Sequence, residues 1–333
     1  MRRYSRRAAL RLLGCGVAAP AIAPVVASSV ARAQAGYPNR PINLIVGFAA
    51  GGGTDIIARL VAAELSKELG QQIVVENRAG ASGTIAAGVV ARAEPDGYTM
   101  MMGHVSSNAM VPAVMASVPY DPATAFTPIM TIGTVAQVLT VPANSPARSV
   151  ADFIRLLKER PGKLSYASSG IGTQQHLAAE MFKQATGTDM AHVPYRGSGQ
   201  AVNDLITGNV DVNFDTMPTV LPHLRSGALR GLGVTTAKRA PIMPDLPTIA
   251  ESGVPGFDVD TWYMVMGPKG LPAEIVTTWS AGLAKLLNAP AFKKRLEDLA
   301  TDVGGGTPAD AQALLARDIR KWADLVKTAG IRG

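Results

Sequence analysis

The stretch Ile42-Asn43-Leu44-Ile45-Val46-Gly47-Phe48-Ala49-Ala50-Gly51-Gly52-Gly53-Thr54-Asp55 decides how the rest of this sequence is read. Its first five residues are apolar and partly β-branched, which predicts a buried strand. The glycines that follow allow a backbone to approach a ligand closely, and Thr54 and Asp55 are good helix N-cap types. Ile57, Val61, Leu65 and Leu69 then recur at helical spacing, with Ile56 and Leu60 beside them. A strand, a glycine turn and a helix start together form an anion site. The first N–H groups of a helix lack partners, and the macrodipole adds partial positive charge there.

The familiar nucleotide patterns are absent from this stretch. No lysine occurs between Ile42 and Ser66, so there is no Walker A loop. Gly51 and Gly53 fit the start of G-x-G-x-x-G, but Ile56 stands at its last position. A carboxylate suits the loop better than a phosphate-bearing cofactor, and no cofactor is expected.

Residues 1–33 read as an export signal. Arg2, Arg3, Arg6 and Arg7 form a basic start, Leu10 to Val30 is apolar and small, and Ala31-Arg32-Ala33 offers a cleavage site. Ser5-Arg6-Arg7-Ala8-Ala9-Leu10 is twin-arginine-like, although Ala9 stands where a larger apolar residue is usual. Leu12-Leu13-Gly14-Cys15 is a weaker alternative, a lipoprotein box interrupted by Arg11. Six of the 32 Lys and Arg lie in this segment, which leaves 26 against 25 Asp and Glu, a net charge of +1. Nothing then favours nucleic acid or an anionic membrane as partner. Cys15 is the only cysteine, so the exported chain has no disulfide, thiolate or Cys–metal chemistry. About 300 residues exceed one ordinary core and predict two lobes.

Strand, loop and helix then alternate, as in a mostly parallel α/β sheet. Gln72 to Glu76 and Tyr98 to Met102 read as strands, followed by glycine and polar loops at 77–84 and 103–108. These loops and 47–54 occupy the carboxyl ends of strands, where ligands collect. Ser82, His104 and Ser106 are therefore site candidates. Val138 to Pro142 is a further strand, and Ser149 starts a helix carrying Phe153, Ile154 and Leu157. The opening pattern then returns: strand Leu164 to Ala167, loop Ser168-Ser169-Gly170-Ile171-Gly172-Thr173, and helix Gln174 to Ala185. Tyr195 and Ser198 follow another strand. Val210, Val212 and Phe214 alternate with Asp211, Asn213 and Asp215, which predicts a half-buried strand, with Asp215 a candidate to orient a ligand donor. After a proline-rich connector at 240–255, Phe257 to Met266 is β-rich and returns the chain to the first lobe. Three helices beginning near Pro272, Pro290 and Pro308 close the molecule.

Five motifs in this order resemble the substrate-binding proteins of tripartite tricarboxylate transporters, the Bug family. They are Phe48 to Asp55, Glu76 to Gly83, Tyr166 to Thr173 with His176-Leu177, Val193 to Gly197, and Pro244 to Thr248. The resemblance implies a two-lobed periplasmic binding protein of the type II Venus-flytrap kind. Each lobe is a mostly parallel sheet flanked by helices, and two crossing strands form the hinge. It implies lobe 1 at 37–139 plus 258–333 and lobe 2 at 140–257. Phe48, Ala49, Ala50, Gly51, Gly52 and Thr54 would face Ser168, Ser169, Gly170, Gly172 and Thr173 across the cleft and hold a carboxylate, largely through backbone N–H groups. The implied function is capture of a small organic acid or amino acid by a periplasmic monomer and delivery to membrane transporter subunits of the tripartite tricarboxylate type. A ligand sensor for a membrane signalling protein would share the site. An extracytoplasmic hydrolase would need G-x-S-x-G, which neither Gly80 to Thr84 nor Gly197-Ser198-Gly199 supplies. No catalytic residue is expected. His176 and Glu180 stand four apart on a helix but are too few for a metal site.

Overall fold

The computed structural model describes residues 36–331, so the export signal expected at 1–33 lies outside the described residues. Contacts divide the chain into Met1–Tyr37 and Pro38–Gly333, and the fold below is that of the second unit.

Two α/β lobes share one long strand. In chain order the first lobe begins with β1 (Ile42–Val46), α1 (Gly53–Leu69), β2 (Ile73–Asn77), a single 3-10 turn (Ala81–Gly83), α2 (Thr84–Ala91), β3 (Thr99–His104), a π-helical turn (Ser106–Met110) and α3 (Val111–Val114). Strand β4 (Phe126–Pro142) leads into α4 (Val150–Glu159), β5 (Ser165–Ser168), α5 (Gln174–Thr186), β6 (Ala191–Pro194), α6 (Ser198–Thr207), β7 (Val212–Thr216), α7 (Met217–Arg225) and β8 (Leu229–Val234). The chain returns through β9 (Asp260–Pro268) and ends with α8 (Ala273–Asn288), α9 (Pro290–Asp298), β10 (Asp302–Gly305) and α10 (Pro308–Ala329).

In the first sheet β2, β1 and β3 are parallel, and β9, antiparallel to β3, joins them to β4. In the second, β6, β5 and β7 are parallel, and β4 pairs antiparallel with β7 and β8. The 17 residues of β4 therefore serve both sheets, with β9 and β10 along one end and β7 and β8 along the other. The crossing point is tied by the Thr235 N–H to the Gln137 carbonyl (2.9 Å) and the Val259 N–H to the Thr235 carbonyl (2.9 Å). The Gln137 side chain is fully buried there, and neither amide atom has a partner.

Three local expectations change. The helix predicted to open at Thr54 or Asp55 starts at Gly53 with Gly52 as N-cap, so Thr54 and Asp55 lie inside its first turn. The stretch 103–108 is not a loop: β3 runs through His104, and a buried π-helical turn follows at once. The strand expected to be half-buried, β7, is buried at every position, Asn213 and Asp215 included. It lies between β4 and β5, and its polar side chains find polar partners, so alternation here does not mark a solvent face.

Candidate functional site

The glycine loop after β1 is held by a polar clamp. Asp55 accepts the Gly51 N–H (3.0 Å), the Asn77 amide (2.9 Å) and the Arg59 guanidinium (2.9 Å), while Asn77 also donates to the Phe48 carbonyl (3.0 Å). Burial works to raise the Asp55 carboxyl, but bonds from Arg59, Gly51 and Asn77 hold it below the usual carboxylate range. An ionised Asp55 in the first turn suits the helix dipole and fixes the loop at no cost to the free N–H groups of Gly53 and Thr54.

Across the cleft, the loop after β5 folds on itself. Ser168 Oγ bonds both the N–H and the carbonyl of Gly170 (3.0 and 3.1 Å), and Thr173 Oγ1 donates to that carbonyl (2.6 Å). Gly170 needs to be glycine: its φ is +123°, and a Cβ would stand 2.5 Å from Ser82 Oγ of the other lobe. The lobes meet directly. Ser82 donates to the Ile171 carbonyl (2.7 Å), and the first N–H of α5, at Gln174, is received by Ser106 Oγ (3.0 Å).

Between the lobes lies a cavity of about 20 Å³, room for one water rather than a metabolite. Four helices start on it. Gly52, Gly53 and Thr54 bring the N-terminus of α1, Gln174 and Gln175 that of α5, Ser198 that of α6, and Thr216 that of α7. None of the four has a side-chain N-cap of its own. Among the described residues no Asp, Glu, Lys or Arg lines the cavity. Positive potential comes from oriented N–H groups alone.

The remaining lining is polar and neutral. His104 is buried, which drives its pKa down to about 3, and its Nδ1 accepts the Ser106 N–H (3.0 Å). The neutral ring thus carries its proton on Nε2 and offers a donor. Phe48 and Tyr263 pack on either side of it, at ring separations of 5.3 and 5.4 Å. Tyr263 is fully buried and its hydroxyl forms no well-made hydrogen bond. Burial raises its pKa, with the neighbouring Thr216 hydroxyl opposing. In lobe 2 a directed chain runs from the Gln175 amide to Ser198 Oγ (2.9 Å) and from Ser198 to Asp215 (2.9 Å). Asp215 also accepts from Asn213 (2.9 Å) and the Thr216 N–H (2.7 Å). Burial raises Asp215 against these bonds.

Of the residues singled out from sequence, Phe48, Gly52, Thr54, His104, Ser106, Ser169 and Ser198 line the cavity. Ala49, Ala50, Gly51, Ser82, Ser168, Gly170, Gly172 and Thr173 belong to the two loops or their seam without lining it. Tyr195 is turned away, with its hydroxyl donating to Asp204 (2.7 Å). Asp215 stands behind Ser198 rather than on the cavity. Sequence reasoning left out Gln174, Gln175, Thr216 and Tyr263 as lining residues, and only the repeated pattern of a helix following a strand pointed toward the first two. Ser168 and His192 approach as a Ser–His pair (2.6 Å), but Ser168 is fully buried and engaged by Gly170, so no substrate reaches it. Among the described residues no group of three or more His, Cys, Asp or Glu is placed to hold a metal, and no helix is long and apolar enough to cross a membrane.

A family model described as "Tripartite tricarboxylate transporter family receptor" matches residues 57–331. Protein BugT of Bordetella pertussis is 35% identical over 324 residues, covering 97% of this chain and 98% of that protein. Among solved structures, "R. palustris Rpa4515 with adipate" superposes with a TM-score of 0.87 at 42% identity, covering 89% of this chain and 99% of that one. MatC from Rhodopseudomonas palustris with bound malate superposes with a TM-score of 0.84 at 32% identity, covering 87% and 100%.

Proposed function

The chain belongs to the tripartite tricarboxylate transporter receptor family, and from that premise we propose that it captures a small carboxylate between its lobes outside the cytoplasm and, as a monomer, presents it to membrane transporter subunits of the same system. The observation that carries this reading is the convergence of four helix N-termini on one interlobe cavity without a charged side chain. Such a site favours anions and presents neutral donors, which suits binding rather than turnover. Adipate and malate in the two similar structures are of this chemistry.

Lobe 1 is taken as 37–139 plus 258–333 and lobe 2 as 140–257, with the crossings between them, in β4 and at the entry to β9, as the hinge. Each charge-assisted hydrogen bond contributes about 1.5–3 kcal/mol, and micromolar affinity needs roughly 8 kcal/mol. One loop does not reach that after association costs; two facing loops do. A ligand touching both lobes therefore favours the closed form and shifts the hinge equilibrium. A cavity of about 20 Å³ requires the lobes to part for entry. Calorimetry with dicarboxylates, tricarboxylates, amino acids and aromatic acids tests the proposal. One acid binding saturably, one per chain and without conversion, is expected; no binding by any of them overturns it.

A further inference from the structure

The lobe 2 loop has a second, hidden support. Tyr166 on β5, His192 on β6 and His176 on α5 form a cluster of near-parallel rings, with His192 4.7 Å from Tyr166 and 4.5 Å from His176, and Tyr166 6.4 Å from His176. His176 Nδ1 accepts the Gly172 N–H (3.0 Å), and His192 Nε2 lies 2.6 Å from Ser168 Oγ. An imidazole thus holds each end of the loop 168–173 from the side away from the interlobe cavity. Behind His176 opens a separate cavity of about 330 Å³, shared with Glu180, Lys183 and Thr188. Protons have a route to His176 that does not pass the ligand.

We propose that His176 is a positioning residue for the ligand loop and a proton-sensitive pin: neutral, it fixes Gly172 through Nδ1, and protonated, it releases the loop and the ligand. This rests on the reading that the loop 168–173 contacts the ligand. The chemistry is direct. An Nδ1 that accepts an N–H has no lone pair left once it is protonated, so an N–H would face an N–H. Two imidazolium rings at 4.5 Å would also repel, so His176 and His192 do not charge together.

Among the described residues the surrounding charges are few. On α5, Glu180 favours the charged form of His176 and Lys183 opposes it. Lys183 is itself held between Glu180 (2.9 Å) and Asp189 (3.1 Å), the latter on the turn after α5. From β5 the Tyr166 phenol donates to Glu180 (2.7 Å), and from β6 comes His192. Ala329, Gly330 and Ile331 at the end of α10 add no titratable group. Burial is the main cause that lowers His176, and burial followed by His176 brings His192 down to about 4. Both are neutral near pH 7 and charge in acid.

The test uses His176→Asn, whose amide oxygen can stand where Nδ1 stands, and His176→Leu, which has no acceptor. Adipate and malate are the probes, titrated by calorimetry at about pH 7.5 and about pH 4.5. Leu is expected to weaken binding about tenfold or more at the higher pH, and Asn to recover it to within about threefold. From the higher to the lower pH the wild type is expected to lose about tenfold more affinity than His176→Asn; acid protonates the ligand equally for both, so the ratio isolates the histidine. Equal pH dependence in the two, or undiminished binding in His176→Leu, overturns the proposal. If neither acid binds the wild type even at the higher pH, the ligand is another molecule, and the Gly172 amide resonance of the ligand-free protein decides this proposal. An amide signal that moves with His176 titration supports the pin; one that stays fixed through it overturns it.

Discussion

The Ser82 hydroxyl of one lobe donates to the Ile171 carbonyl of the other at 2.7 Å. Ser82 and Ala81 both hold left-handed backbone, with φ of +56° and +44°. Such residues cost on the order of 1–3 kcal/mol each and persist only when their surroundings impose them. The contact forms only when the lobes are together. Ser82→Ala is therefore expected to weaken ligand binding by about 1 kcal/mol, roughly fivefold, through faster release. Stopped-flow dissociation checks it, and an unchanged release rate counts against a closing contact.

Gly170→Asp is expected to abolish binding and leave the fold. The new Cβ would press on Ser82 Oγ at 2.5 Å from a backbone at φ +123°, and the side chain would wedge the seam where Ser82 meets Ile171 and keep the lobes from closing. Circular dichroism is expected to match the wild type while calorimetry with adipate gives no heat. Retained affinity would remove this loop from the site.

Acid is expected to destabilise the protein before its carboxylates are titrated. Burial holds His104 at about 3 and His192 at about 4, against 6.5 for the ordinary side chain. As pH falls below about 6.5 the unfolded chain takes up these protons and the folded one does not, so stability falls until the folded pKa values are reached. Burial of the His192 ring contributes to this fall in the same direction as His104. Urea unfolding at several pH values between about 7 and 4 measures it; a flat profile would contradict the buried neutral rings.

Gln137→Met is expected to stabilise the protein by about 1–2 kcal/mol. The Gln137 amide is fully buried at the strand crossing with neither atom partnered, and an apolar side chain of similar shape removes that cost. Thermal unfolding tests the sign, and a lower melting temperature would mean the amide is satisfied in solution.

Much of the two-lobed fold was legible because its signals are local. The strand, glycine loop and helix at 42–69 and again at 164–186 appear nearly where expected. The long strand β4 was read only from Val138, since its burial on both faces from Phe126 onward leaves little alternation to follow. The same cause misled at β7, where Asn213 and Asp215 face partners inside the protein rather than water. At the candidate site, the glycine loops were legible and the lining side chains less so. Gln174 and Gln175 read as ordinary first-turn residues, and Thr216 ends a strand whose neighbour is set by the sheet order. Tyr263 packs on His104 and lines the cavity only because β9 returns beside β3 from a distant part of the sequence.

Because β4 runs unbroken from one sheet into the other, the halves are not interchangeable parts. A chimera that borrowed one half from a relative would have to splice inside a hydrogen-bonded strand, in register with four neighbours at once. New ligand preferences in this architecture therefore arise more readily by altering loop tips than by trading whole halves.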